Sequence, residues 1–318
     1  MSMTSEDFSL RIKQKPVATL AEIVAAMPPD ERGRTTVRVG QTLVPLMPLG
    51  INRPPDGGEM ANAPAGLAST GTPANVDHRV DQTPAKSQGD RPTCVSFALL
   101  AALEALIKRS QKRELDLSEH FTHWLFMSSQ KKTQCETGPY TVQAAMVLHR
   151  AGVCLEALCP YQSLSQVAAD CGAVPSSDAR QHATFGLGSF TSLFNHGLTG
   201  WSVGNIDLLE SLLAQDVDVV VGFEAIFGLF TEDGVLDIFT DDAGNPWPAR
   251  AGHTMLAVGY MRDPANPYFL FKNSWLDPTG NGYMKVSYDF VRHYATCGVV
   301  PRQVRSDMPA QAGNGGPP

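Results

Sequence analysis

The chain has 318 residues, 43% hydrophobic and 18% charged, enough apolar side chain for one large domain or two smaller ones. A net charge of -7, with no block of Lys and Arg, argues against nucleic acid as a partner. No run reaches the roughly 18 to 20 apolar residues of a membrane helix, and the start, MSMTSEDFSLRIKQKP, lacks the apolar core of a signal peptide, so the expected place is the cytoplasm with no membrane partner.

In chain order, ATLAEIVAAM (18–27) predicts a short helix stopped by Pro28-Pro29, and TTVRVGQTLVPLM (35–47) predicts one or two strands. Residues 1–49 thus form a small segment of prosegment-like or partner-binding kind. Residues 50–72, rich in Pro, Gly and Ala, read as a flexible linker. A helix is predicted over 94–112, its basic end KRSQKRE (108–114) being a solvated tip. Helices follow over 117–130, with Ser118 as N-cap, and over 141–152, ending on Gly152. Beyond a helix at 205–215, the runs DVVVGFEAI, HTMLAVGYM, YFLFKNSW and GYMKVSYDF read as strands of an antiparallel sheet. Residues 306–318 read as a disordered tail. A helical half followed by a sheet half predicts an α+β fold of two lobes, with a site in the cleft between them.

The six cysteines, Cys94, Cys135, Cys154, Cys159, Cys171 and Cys297, form no paired CxxC ligand sets, so neither metal nor cofactor is expected. In a reducing compartment most would be free thiols. Cys94 stands apart, because a Gly-Asp-Arg-Pro-Thr turn precedes it and a helix starts on it. A helix N-terminus favours a thiolate, and a neighbouring imidazolium favours it more, so Cys94 suits a nucleophile better than a small core hydrophobe. Among the histidines only His253 opens an apolar strand behind an Ala-Gly pair. Asn273 directly follows the strand YFLFK, and Trp275 comes two residues later. Two adjacent strands could therefore carry His and Asn side by side.

In that order, Gln88, Cys94, His253 and Asn273 resemble the papain-like cysteine peptidases. The segments VDHRVDQTPAKSQGDRPTCVSFALLAALE, LSEHF, CETGPYTVQAAMVLHRAGVCLEALCPY, GHTMLAVGY and KNSW…NGY carry the resemblance, over roughly residues 73 to 300. It implies a peptidase domain over 73–305, with a helical left lobe and an antiparallel right lobe. It implies Cys94 as nucleophile, His253 as base and then acid, and Asn273 as the group that orients the imidazole. Gln88 and the Cys94 N–H would hold the oxyanion. Trp275 would cover the His–Asn pair. An extended peptide or protein substrate would pair near Thr137 and Gly138, with Tyr140, Ala251 and Gly252 bordering a side-chain pocket.

Several departures accompany the resemblance, among them the loop-rich stretch FEAIFGLFTEDGVLDIFTDDAGNPWPARAG before His253, which could shape substrate access. The family often has a cysteine three residues before the nucleophile, bridged to the one that Cys135 resembles. Arg91 stands there, so Cys135 is expected to lack its usual partner, in keeping with a reducing, bacterial cytoplasm. Val95 follows the nucleophile where an aromatic residue is common. The first 72 residues lack the long-helix pattern of the usual propeptide, and docking of residues 1–49 on the peptidase domain is weighed evenly against a partner-binding arm. The expected activity is that of a cysteine endopeptidase. The alternatives are a dedicated maturation protease, a peptidyl or acyl transferase, or a non-catalytic scaffold, and the intact set of four residues argues against the last.

Overall fold

The computed structural model describes residues 36–39, 42–45, 73–136, 138–194, 205–225, 234–238, 251–276 and 280–305. The predicted helix at 18–27, the linker at 50–72 and the tail at 306–318 lie outside them. Strands β1 (Thr36–Val39) and β2 (Thr42–Pro45) pair as an antiparallel hairpin. β3 (Asn75–Asp77) then leads into α1 (Cys94–Gln111), α2 (Glu119–Ser129) and α3 (Thr141–Arg150). Short helices α4 (Leu164–Ala168) and α5 (Ser177–Gln181) precede β4 (Gly186–Phe194), α6 (Ile206–Leu213) and β5 (Val219–Ala225). The remainder is β6 (Val235–Leu236), β7 (Ala251–Met261), β8 (Tyr268–Lys272), β9 (Tyr283–Ser287), α7 (Tyr288–Tyr294) and β10 (Ala295–Arg305). The main sheet runs β4-β10-β5-β7-β8-β9-β6, with β3 added against β7, and only the β6–β9 pair is parallel. This is the expected α+β architecture.

Strand alternation divides the apolar interior in two. Val220, Leu256 and Val258 point to one face, where α1, α2 and α3 pack around Leu99, Leu103, Phe121 and Leu148. Val219, Val221, Met255 and Ala257 point to the other face, against Leu209 and Leu212 of α6 and Phe269 and Phe271 of β8. Helix α1 is buried nearly all round, as a helix apolar on every side must be. Leu99, Leu103 and Ile107, spaced four apart, are fully enclosed and stabilise it by about 2 kcal/mol each. The one carboxylate on its buried face, Glu104, is matched. It accepts from Lys86 Nζ at 3.1 Å, from the Leu117 N–H at 2.8 Å and from Thr83 Oγ1 at 2.5 Å.

Local signals explain the helix starts. Ser118 accepts from the Phe121 N–H, as the sequence predicts, and Asn205 caps α6 in the same way. Three expectations need correction, and two strands went unread. Gly152 is no helix cap: α3 stops at Ala151 with extended backbone, and a Cβ at 152 would lie 1.9 Å from the Ala183 carbonyl oxygen, so glycine is there for close approach. The GYMKVSYDF run is half strand and half helix, because the Ser287 hydroxyl accepts from the Phe290 N–H and starts α7. Cys135 has a partner, Cys171, in a disulfide across 36 residues, so it is not a free thiol. Strands β4 and β10 complete the sheet, although Gly, Ser and Pro301 hide their pattern. The register shifts at Pro301, where a ladder tolerates proline.

Candidate active site

Gly89 has φ +57°, a value glycine takes without Cβ strain, and it reverses the chain between Gln88 and α1. Thr93 occupies the N-cap of α1 but does not cap it. Its hydroxyl instead bonds Tyr161 Oη at 2.6 Å. The N–H groups of Cys94 and Val95 therefore stay uncapped by Thr93 and turn the positive end of α1 toward the Cys94 sulfur. The Gln88 side chain is fixed from both ends: Ser274 Oγ donates to its Oε1 at 2.6 Å, and its Nε2 donates to the Arg91 carbonyl at 2.6 Å. A primary amide has two N–H donors, so one remains to aim at a substrate.

Beneath this turn Arg91 is completely buried. Its guanidinium reaches the Gln162 carbonyl at 2.9 Å and His120 Nδ1 at 3.0 Å, and it lies over the Tyr161 ring at 5.1 Å. No carboxylate forms an ion pair with it among the described residues, and burial lowers its pKa. The same burial holds His120 at about 4 and His123 at about 3, so both rings are neutral.

On the sheet side His253 sits in β7 opposite Phe223 of β5. Its Nε2 donates to Asn273 Oδ1 at 2.8 Å, and the Ser274 N–H donates to that same oxygen at 2.8 Å. Trp275 stacks on the imidazole with ring centroids 3.9 Å apart and planes 20° apart. With Nε2 as donor, the other ring nitrogen, Nδ1, is the one able to take a proton. Asn273 follows Lys272, whose buried Nζ donates to the Thr83 carbonyl at 2.7 Å and whose pKa burial lowers to about 8.

Cys94 meets this wall at Thr254, the neighbour of His253, whose main-chain N–H and hydroxyl both bond to it. Burial pushes Cys94 up to about 12 and His253 down to about 4. Each group alone is therefore held neutral. Moving the proton from sulfur to imidazole would keep the net charge of the two at zero.

The structure thus gathers Cys94, His253, Asn273, Gln88 and Trp275. It puts Gly138 and Tyr140 in the segment leading into α3, and Ala251 and Gly252 at the start of β7, just ahead of His253. Thr137 lies outside the described residues. Sequence reasoning missed Thr254, Ser274, Tyr161 and Arg91 as contacts of the site, and only the adjacency of Thr254 and Ser274 to His253 and Asn273 pointed to them. Among the described residues no group of His, Cys, Asp and Glu could hold a metal ion, and no helix is long and apolar enough to cross a membrane.

The comparisons with known proteins agree in kind. The family described as papain family cysteine protease matches residues 72–305. Cysteine proteinase 2 of Zea mays is 26% identical over 224 residues, 69% of this chain and 56% of that protein. Papaya proteinase 4 of Carica papaya is 28% identical over 230 residues, 71% of this chain and 59% of that protein. This chain spans about six tenths of the length of the curated relatives it matches. Among solved structures xylellain, a cysteine protease from Xylella fastidiosa, is similar with a TM-score of 0.63 at 21% identity, covering 82% of this chain and 98% of that one. Procathepsin L 3 of Tenebrio molitor is similar with a TM-score of 0.54 at 20% identity, covering 94% of this chain and 97% of that one. At these identities the structural likeness is one of fold.

Proposed function

From the premise that this chain belongs to the papain family of cysteine proteases, we propose that it is a cysteine endopeptidase acting through a Cys94 thioester. The observation that carries the reading is the His253–Asn273 bond under a stacked Trp275, with Thr254, the neighbour of His253, bonded to a cysteine at the start of a buried helix. Cys94 Sγ attacks the substrate carbonyl as its proton passes to His253 Nδ1. The tetrahedral oxyanion is held by the Cys94 N–H and the spare Gln88 N–H. His253 then protonates the leaving amine, and water, deprotonated by His253, hydrolyses the thioester. Asn273 is neutral, so it fixes the ring without adding charge. Gly138, Tyr140, Ala251 and Gly252, with Thr137, would border the peptide. Incubation with a peptide-based thiol-reactive inhibitor, followed by intact mass and peptide mapping, tests the reading. One adduct on Cys94, together with cleavage of a peptide substrate, supports it. No adduct and no cleavage removes it.

The N-terminal segment is proposed to restrain this activity. Support comes from the hairpin β1–β2 joined through residues 50–72, and from the extent of the match to a procathepsin. Through such a linker even weak docking is effective, because the effective concentration is in the millimolar range. A chain beginning near Pro73 should cleave faster than the full chain, and residues 1–49 added in trans should slow it. Equal rates would favour a partner-binding arm. The cytoplasmic placement is a separate proposal, and the Cys135–Cys171 disulfide tests it: such bonds persist in oxidising compartments, so finding it intact in cell extracts prepared with thiol trapping would overturn that placement.

A further inference from the structure

Three strands line up beneath the nucleophile. Thr254 of β7 pairs with Gly222 of β5, and Gly222 pairs with Cys297 of β10. Side chains in register share one face of a sheet, here the face that packs against α1 and α3. Gly222 contributes no side chain, so a slot opens between Thr254 and Cys297. Thr141, the first residue of α3, enters it. Its Oγ1 lies 3.1 Å from Thr254 Oγ1, and it also bonds Cys297. Thr141, Thr254, Cys297 and Cys94 are all fully buried. Thr254 in turn bonds Cys94 through both its N–H and its hydroxyl.

We propose that Thr254 is a further catalytic residue of this enzyme, its hydroxyl donating to the Cys94 sulfur as that sulfur becomes a thiolate, with Thr141 and Cys297 setting the hydroxyl's direction. The inference rests on the reading of Cys94 as nucleophile. The direction follows from counting protons. A hydroxyl has one proton to give. If Thr254 gives it to sulfur, it must accept from Thr141, and Thr141 then accepts from the Cys297 S–H. Once Cys94 has lost its proton its sulfur can only accept, so the row must then point toward it. The titratable groups facing it are His253 on the same strand, Glu224 on β5, Cys297 on β10, Lys272 on β8, and Lys86, Glu104 and Glu119, which with Thr254 line one small cavity. Of these His253 changes charge during the reaction, so a profile read at Cys94 reports the pair and its hydroxyl.

The test measures the pH dependence of Cys94 alkylation by peptide mapping, and kcat and KM on a peptide, in the full-length protein. Thr254→Val keeps the shape and the main-chain N–H but removes the hydroxyl. A hydrogen bond to a charged group corresponds to roughly a tenfold to hundredfold change. Alkylation near pH 6 should therefore slow by about that factor, its midpoint should move to higher pH, and kcat should fall with KM little changed. Thr254→Ser should bring the midpoint back, and Thr141→Val should move it in the same direction by less. If Thr254→Val fails to fold, Thr141→Val and Thr254→Ser carry the comparison on their own. A folded Thr254→Val with the wild-type profile overturns the inference, as does a Thr141→Val profile that matches wild type when Thr254→Val cannot be obtained. A wild-type protein whose Cys94 is neither alkylated selectively nor able to cleave peptides overturns the protease reading instead.

Discussion

The two walls of the site are held by different physics. The nucleophile wall is a turn fixed by polar contacts: Gln88 between Ser274 and Arg91, Thr93 on Tyr161, and a buried guanidinium on carbonyls, an imidazole and an aromatic face. The base wall is a strand register closed by one hydrogen bond and one stacked indole. A register that buries one face is fixed by every pair along the strand. A turn held by a few side-chain bonds around one buried arginine depends on each of them, because a charge stripped of its partners in the interior is costly. The base wall is thus redundant and the nucleophile wall concentrated, and single substitutions should weigh differently on the two.

The largest effects should fall where the walls meet. Cys94→Ala and His253→Ala should each abolish peptide cleavage, a loss on the order of 10⁶-fold in kcat, with the circular dichroism spectrum unchanged. Residual cleavage by Cys94→Ala would mean that another group is the nucleophile. Gln88→Ala should cost on the order of 10²- to 10³-fold in kcat, as loss of one oxyanion donor does. Ser274→Ala leaves Gln88 in place but frees its oxygen, so steady-state kinetics should show a smaller drop. Equal losses in Gln88→Ala and Ser274→Ala would show that orientation, and not donation, is what Gln88 supplies. Asn273→Ala, on the redundant wall, should leave measurable activity.

The groups proposed to change covalent or protonation state stood out in the sequence, and those that hold them mostly did not. Cys94, His253 and Asn273 each sit in a short pattern that local chemistry explains: a thiol at a helix start, an imidazole opening a strand, an amide closing the next. Thr254 escaped because its role depends on Gly222 and Cys297, residues that only register brings beside it. Arg91 appeared as a departure, yet its burial depends on Tyr161, Gln162 and His120, far along the chain. Helix α7 was read as strand because a single serine hydroxyl decides between continuing and turning there. The Cys135–Cys171 pairing was beyond reach for a simpler reason: spacing alone does not fix connectivity.

That disulfide sharpens the comparison through stability. It closes 36 residues, a loop whose closure is worth roughly 4 kcal/mol in the chain-entropy account. It also stands beside Gln134, whose N–H donates to the Cys171 carbonyl and whose amide oxygen receives an Arg91 nitrogen at 3.5 Å. Cys135→Ser with Cys171→Ser should therefore lower Tm by about 5 to 15 °C, with kcat changed less than threefold, because the arginine staple remains. A kcat loss as large as that of Gln88→Ala would mean that the disulfide, and not Arg91, fixes the turn.

The smallest effect lies beneath the nucleophile wall and appears only in acid. His123 is fully enclosed beside Arg91 and His120, and neither ring nitrogen finds a hydrogen bond of ordinary geometry among the described residues. Burial, together with the charge on Arg91, lowers its pKa from 6.5 to about 3. Between those values the unfolded chain binds a proton at this residue and the folded chain does not. Stability must then fall as pH falls, at up to about 1.4 kcal/mol per pH unit from this one group. His123→Phe removes the proton site and keeps most of the buried volume. Near pH 7.5, where both states hold the imidazole neutral, its Tm should differ from wild type only by packing. As pH drops from 6.5 toward 4, its Tm should gain on wild type steadily. Parallel Tm–pH curves for His123→Phe and wild type would show that this histidine is protonated, or paired, inside the folded protein, and the wall beneath Cys94 would then be less sensitive to acid than its buried histidines imply.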